Sequence, residues 1–545
     1  MLQNWLLPLV PLSIPALLAL SALCLNRHAT TRPDAHTLGI VRLTTLFSTL
    51  ASAAVLLWLL VCATGVGQQP TGQLITLTPL RAVMLALVLG LAAVLLQFSR
   101  NYLAGESCYT SYFRWLLMTV AAVCLTVMAN HLMLFVLGWA AVSVSLHQLL
   151  TLYPERPRAV LAAHKKFILA RVAESCVLGA ALLLSMSHDS FFIDQILHAV
   201  AQAPALSLNE QLAAWLLGMA ALIKCAQLPL HGWLIKVVEV PTPISALLHA
   251  GVINLGGFML LVFAPLFARS ELAQWWVLLV AGASTVLSVL IMTTRISVKV
   301  RLAWSTSAQM GLMLMEIALG LYELALLHLV AHSLYKAHAF LSSGNAVNLH
   351  LEQQLLPRMS GLRPQDGVLT LFAALCVAVA MGLTNAQGPI SPWLLLMIGL
   401  MSFALRSAST LSSAVQVGVQ VMPLMLGLTA AYVLLKQLMM QLPEFSVLRG
   451  ISSLHAPLSV ADLVAMLMFA TIPLVSWLLQ HRAANASVQR LSTLLFSGLY
   501  LDEWFTRMTL LLWPASLPRT QDTRPAFRTN RLKRSAKSMP STQES

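Results

Sequence analysis

The sequence predicts an all-α polytopic membrane protein, a bundle of roughly 13–15 transmembrane helices with two broken helices, followed by an amphipathic helix. Three observations carry that prediction. Of the 545 residues, 58% are hydrophobic and only 10% are charged, with a mean hydropathy of +0.79. Soluble domains carry about a quarter of charged residues, so a surface drawn from this composition could not be hydrated. A spanning helix takes about 20 residues, which leaves room for on the order of 15 of them. Finally, apolar blocks such as 214–223 lack the apolar/polar alternation of a barrel strand. Soluble enzymes, disordered chains, collagen-like fibres and β-barrels are excluded.

Taken in order, the spans are 5–25, 42–65, 80–98, 113–129, 132–150, 165–186, 210–230, 241–266, 273–292, 300–320, 322–344, 368–385, 391–405, 411–435 and 459–480. The start is not a cleavable signal, because no basic region precedes the first apolar run. Counting loops through these spans puts Arg27, Arg32, Arg42, Arg100, Arg114, Arg156, Arg158, Lys165, Lys166, Arg295, Lys299, Arg301, Arg358 and Arg363 on one side. Arg81, Arg269, Lys436, Arg449 and the acidic 187–210 loop fall on the other. The positive-inside rule then sets the N-terminus outside and the C-terminus in the cytoplasm.

The chain divides into N-terminal helices (1–110), a core bearing the intramembrane charges (111–345), C-terminal helices (346–485), an amphipathic surface or bracing helix (486–518) and a basic tail (519–545). The net charge of +14 is partly the tail, whose basic residues suit anionic lipid and not nucleic acid, since no folded basic module accompanies them. The seven cysteines show no CxxC and read as small apolar packing residues, not as a metal or disulfide set.

A charge at bilayer depth costs several kcal/mol, so ionisable residues there are functional candidates. Lys224 lies in GMAALIKCAQLP, with Pro229 five residues on. A lysine buried there loses hydration, which lets it gain or release a proton, and the proline removes a backbone donor and breaks the helix. His328, His332 and Lys336 follow at i, i+4 and i+8, one polar stripe on an apolar span. Imidazoles both accept and donate, as a proton wire requires. Arg171 and Glu174 are one turn apart, at a depth that allows Glu174 to reach Lys224. His249 lies in PTPISALLHAG, where Pro241 and Pro243 restrict the helix start and Ser245 is placed to cap it. Glu316 and Glu323 fall toward the outer side, at a solvated interface, and His131 and His147 stand isolated. No catalytic, cofactor or metal set emerges.

Four blocks resemble the antiporter-like family of complex I proton-pumping subunits and Mrp cation/proton antiporters: 165–175, 224–234 with 241–251, 298–311 and 327–344. MSGL (359–362) and YLDEWFTR (500–507) are weaker echoes. The resemblance implies that Lys224 is the broken-helix lysine and Lys336 the lysine of a second broken helix, linked by His328 and His332. His249, Lys299, Arg171 and Glu174 fall on matching positions of the same proton-moving axis. The family has a glutamate after the tryptophan of its fifth helix where this chain has Ala140, leaving Glu174 or His147 to stand in for it. A shortened chain with this altered axis is most similar to the DabB family. That resemblance implies a non-enzymatic subunit in which cation flow, protons or sodium, drives CO2 hydration to bicarbonate on a large zinc-bearing DabA-like partner. The alternative is a subunit of a complex I-type oxidoreductase or an Mrp-type sodium/proton antiporter.

Overall fold

The computed structural model describes residues 2–25, 35–62, 72–237, 240–345, 364–383, 388–408, 414–446, 456–482 and 485–513. Among these, helices are the regular elements, and extended backbone is limited to the isolated bridges Ile75–Ala129 and His131–Phe192. Each of the fifteen predicted spans is met by one helix, except 241–266, which three shorter helices meet. In order these are α1 (Leu2–Cys24), α2 (Ala35–Cys62), α3 (Pro79–Tyr102), α4 (Tyr109–Met128), α5 (Leu132–Leu150), α6 (Pro157–His188), α7 (Ile193–Gln202), α8 (Leu208–Lys224), α9 (Gly232–Lys236), α10 (Thr242–Ala250), α11 (Leu255–Val262), α12 (Ala264–Phe267), α13 (Glu271–Thr293), α14 (Val298–Ala318) and α15 (Tyr322–Leu341). There follow α16 (Pro364–Leu383), α17 (Ser391–Ala408), α18 (Ala414–Met440), α19 (Pro443–Ser446), α20 (Val460–His481), α21 (Ala486–Phe496) and α22 (Leu501–Leu512).

Nine helices of the described residues are long and apolar enough to cross a membrane. The short α7 lies in a connection, while α8, α14 and α15 miss that measure because they are short or carry the polar residues of interest. The outermost helices face outward with leucines: on α2, Leu43, Leu46, Leu50, Leu57 and Leu60 are exposed at helical spacing. Such a stripe would be unstable in water and is what lipid requires of a helix face. The centre is formed by α8 and α10–α15, where α10 and α11 are almost wholly buried.

Two spans are broken, though not where the prolines alone would place the breaks. The first ends at Lys224, before Pro229, and resumes as α9. Two of its freed backbone groups are satisfied by other helices, since Ser307 Oγ donates to Ala226 O (3.0 Å) and Leu228 N donates to Ser284 Oγ (3.0 Å), and the Gln227 side chain ties the break to Ser307 O (3.2 Å). Irregular backbone at membrane depth survives only when protein groups meet it in this way. The second break falls at Gly251–Asn254, between α10 and α11. Pro241 and Pro243 start α10 and do not break it, in keeping with proline's fit to a first helical turn. Ser245 does not cap α10; its hydroxyl is buried and meets no partner. The helix of Lys336 is continuous, contrary to the expectation of a break there.

Charge placement brings further corrections. Lys165 and Lys166 are buried within α6 and not in a loop. Arg81 is buried in the first turn of α3, where its guanidinium donates to Thr76 and to Met128 O. The described part of the amphipathic segment, 486–513, is two helices separated by a turn at 498–500, and it braces the bundle through Asp502. The basic tail and MSGL lie outside the described residues.

A candidate axis of buried lysines and histidines

The histidine stripe of α15 packs against a matching stripe on α14. Lys299, Leu302, Thr306, Gln309 and Glu316 follow at intervals of three, four, three and seven, which keeps them on one helical face. His328 is held from both sides: Glu316 Oε2 lies 3.0 Å from its Nδ1 and Gln309 Oε1 lies 2.8 Å from its Nε2. Glu316 is therefore a buried partner of the stripe and not a solvated interface residue.

One turn on, His332 is buried and neither ring nitrogen meets a protein partner; its ring centre is 6.3 Å from that of His328. His249, from α10, is fully buried, with Nδ1 3.1 Å from Thr306 Oγ1, its ring stacked 4.4 Å from Phe340, and Nε2 unpartnered. Lys336, also fully buried, donates to Leu302 O at 3.0 Å. Buried polar atoms without partners cost about 1–3 kcal/mol each. A structure keeps them where they serve something other than stability. At the far end, half-buried Lys299 donates to Thr242 Oγ1 at 2.9 Å.

A second cluster surrounds Lys224. Its ammonium lies 4.6 Å from the centre of the Trp139 ring, so an indole face holds it beside the position where an acid was expected. Lys224 shares a cavity of about 20 Å³ with Ser143 and Lys166, room for about one water. Lys166 donates to Ser143 O at 2.7 Å. Sequence reasoning missed Lys166 because its neighbours in HKKF read as a loop charge pair. Glu174 does not reach Lys224; it pairs with Arg171 at 2.7 Å, and Arg171 stacks over Phe167 on a half-exposed flank. His147 is not isolated, lying 4.9 Å from Phe167 and 6.0 Å from His164 (ring centres), while His164 stacks on Trp513 at 4.0 Å. It does not replace the missing acid, since Lys224 rests on Trp139.

Between the clusters lies the Gly251–Asn254 break. Cys225 Sγ donates to Ile253 O (3.5 Å), and Asn254 Nδ2 donates to Ala250 O (2.8 Å) and Ser333 Oγ (2.6 Å). The break thus ties α8, which carries Lys224, to α15, which carries Lys336. Among the described residues no three His, Cys, Asp or Glu side chains come together to hold a metal.

The C-terminal helix is locked onto this region by one carboxylate. Asp502 Oδ1 is 2.6 Å from Lys165 Nζ and Oδ2 is 2.5 Å from Lys236 Nζ, while Thr506 Oγ1 accepts from Lys165 at 2.6 Å. Burial alone would raise the Asp502 carboxyl, but the two ammonium groups outweigh it and hold the carboxyl below its ordinary range.

Comparison with known proteins places the chain. The profile described as NADH:quinone oxidoreductase/Mrp antiporter, TM, matches residues 129–417. A probable inorganic carbon transporter subunit DabB of Hydrogenovibrio crunogenus is 44% identical over 450 residues, covering 82% of this chain and 85% of that protein. A probable subunit DabB2 of Halothiobacillus neapolitanus is 36% identical over 473 residues, 84% of each. The Mrp complex from Dietzia sp. DQ12-45-1b shares the fold, with a TM-score of 0.52 at 20% identity over 98% of this chain and 59% of that one. The chain belongs to the NADH:quinone oxidoreductase/Mrp antiporter membrane family and, within it, to the DabB subunits of inorganic carbon transporters.

Proposed function

We propose that this chain is the proton-conducting subunit of an inorganic-carbon accumulation complex, and that it performs no catalysis of its own. The observation that carries this reading is the buried run of His328, His332, His249 and Lys336, in which both ring nitrogens of His332 and Nε2 of His249 meet no protein partner and the His332 ring centre lies 6.3 Å from that of His328. Each imidazole can accept at one nitrogen and release from the other, so a proton can pass along α15 without a carrier. Lys299 and Thr242 continue the path at the end where α14 begins. Lys224 and Lys166 sense that movement through the 251–254 break. In this reading CO2 is hydrated on a large, zinc-bearing DabA-like partner; the relatives named as inorganic carbon transporter subunits support the assignment to carbon accumulation. Inward proton flow shifts the conformational equilibrium of that partner.

The test is proton flux into proteoliposomes holding the chain with its partner. Lys336→Ala and Lys224→Ala are each expected to cut flux and bicarbonate accumulation by about 10²-fold, the usual worth of a positioned proton-transfer group, with assembly intact. Wild-type rates in both variants would sink the proposal. Sodium/proton exchange by this chain alone would favour the Mrp-type alternative, which the indole in place of an acid at Lys224 disfavours.

A further inference from the structure

The proton-conducting reading leaves open where the axis meets the outside, and a cavity not predicted from sequence answers it. Between α14, α15, α17, α18 and α20 lies a cavity of about 450 Å³, lined by Glu316, Ser391, Leu395, Gly399, Tyr432 and Phe469 among others. Glu316 is the one charged side chain among its lining residues. Glu316 lines the cavity, and both of its carboxylate oxygens lie within 3.1 Å of His328 Nδ1, so it stands between the cavity and the relay. Ser391, fully buried on the same wall, has a hydroxyl with no partner. The cavity adjoins the end of α14 opposite Lys299, the end that the charge pattern assigns to the outer side.

We propose that Glu316 is the outer proton portal of the axis and that this cavity is its hydrophobic vestibule. Resting on the proton-conducting reading, the step is a transfer from the Glu316 carboxyl to His328 Nδ1, leaving carboxylate and imidazolium, after which a hydronium ion from the outer side, relayed through vestibule water, reprotonates the carboxylate. A space of this size admits several waters, yet leucine and phenylalanine walls keep the column thin and able to break, as in pores that gate by dewetting.

The experiment compares flux through the chain with its partner in proteoliposomes. Glu316→Gln is expected to lower flux about tenfold, and Glu316→Asp to restore much of it, because a purely packing role would be served equally by the isosteric amide. A Cβ at Gly399 meets no atom within 4 Å, so Gly399→Cys leaves the fold undisturbed. A cationic methanethiosulfonate added from the outer side should label Cys at 399 and block flux, while leaving the identically treated wild-type chain conducting. Unchanged flux in Glu316→Gln, or absence of block at position 399, overturns the portal while Lys336→Ala still abolishes conduction. Loss of effect in Lys336→Ala as well would instead overturn the proton-conducting reading itself.

Discussion

Gly232 shows how strongly a single position is determined. A Cβ there would lie 1.7 Å from Asp502 Oδ1, so only glycine lets the carboxylate reach both Lys165 and Lys236. Gly232→Ala is expected to release α22 from the bundle and to destabilise the protein by about 1–3 kcal/mol. Thermal unfolding in detergent checks this, with Gly344→Ala, where a Cβ meets nothing, expected to match wild type. The lysines and histidines of the axis were legible in sequence because a charge in an apolar run is conspicuous. Glu316, Gln309 and Thr306 were not, since α14 is polar enough to resemble an interfacial helix. The signal was present in their common face, but it becomes meaningful only once α15 is known to pack against it.

At the scale of elements, α22 acts as a strap across α6 and α9. Its Asp502 is held below the ordinary carboxylate range, so its contribution to docking is complete above the unfolded value of about 4 and is lost as pH falls through the lower folded value. Pepsin cleavage within 497–513 should therefore rise steeply below about pH 4 in wild type. In Asp502→Asn it should already be high throughout the acid range. Similar protection in both would show that apolar contacts alone hold the strap. The helices themselves were readable, because twenty apolar residues have few alternatives in a membrane. Their breaks were only half readable. Proline marks where a helix cannot continue, but the actual stops at Lys224 and Gly251 depend on hydroxyls that Ser284, Ser307 and Ser333 bring from other helices.

For the whole molecule, the direction of conduction depends on which side each terminus occupies. From the remaining loop charges we expect a cytoplasmic C-terminus, with Lys165, Lys166 and Arg81 no longer counted as loop residues. A fluorescent protein fused after Ser545 should fluoresce in cells, and alkaline phosphatase fused there should be inactive. The opposite pattern would turn the portal at Glu316 toward the cytoplasm and reverse the proposed flow.

The indole beneath Lys224 has one last consequence. A carboxylate at that place could take the lysine's proton and hold it, making the pair a small reservoir. A π face attracts an ammonium but accepts no proton from it, so anything Lys224 gives up must leave through the single-water cavity beside Lys166. Two like charges around one water cannot both be protonated cheaply. On the proposed function, this end of the protein would act as a one-seat turnstile, in which each occupant departs before the next is admitted.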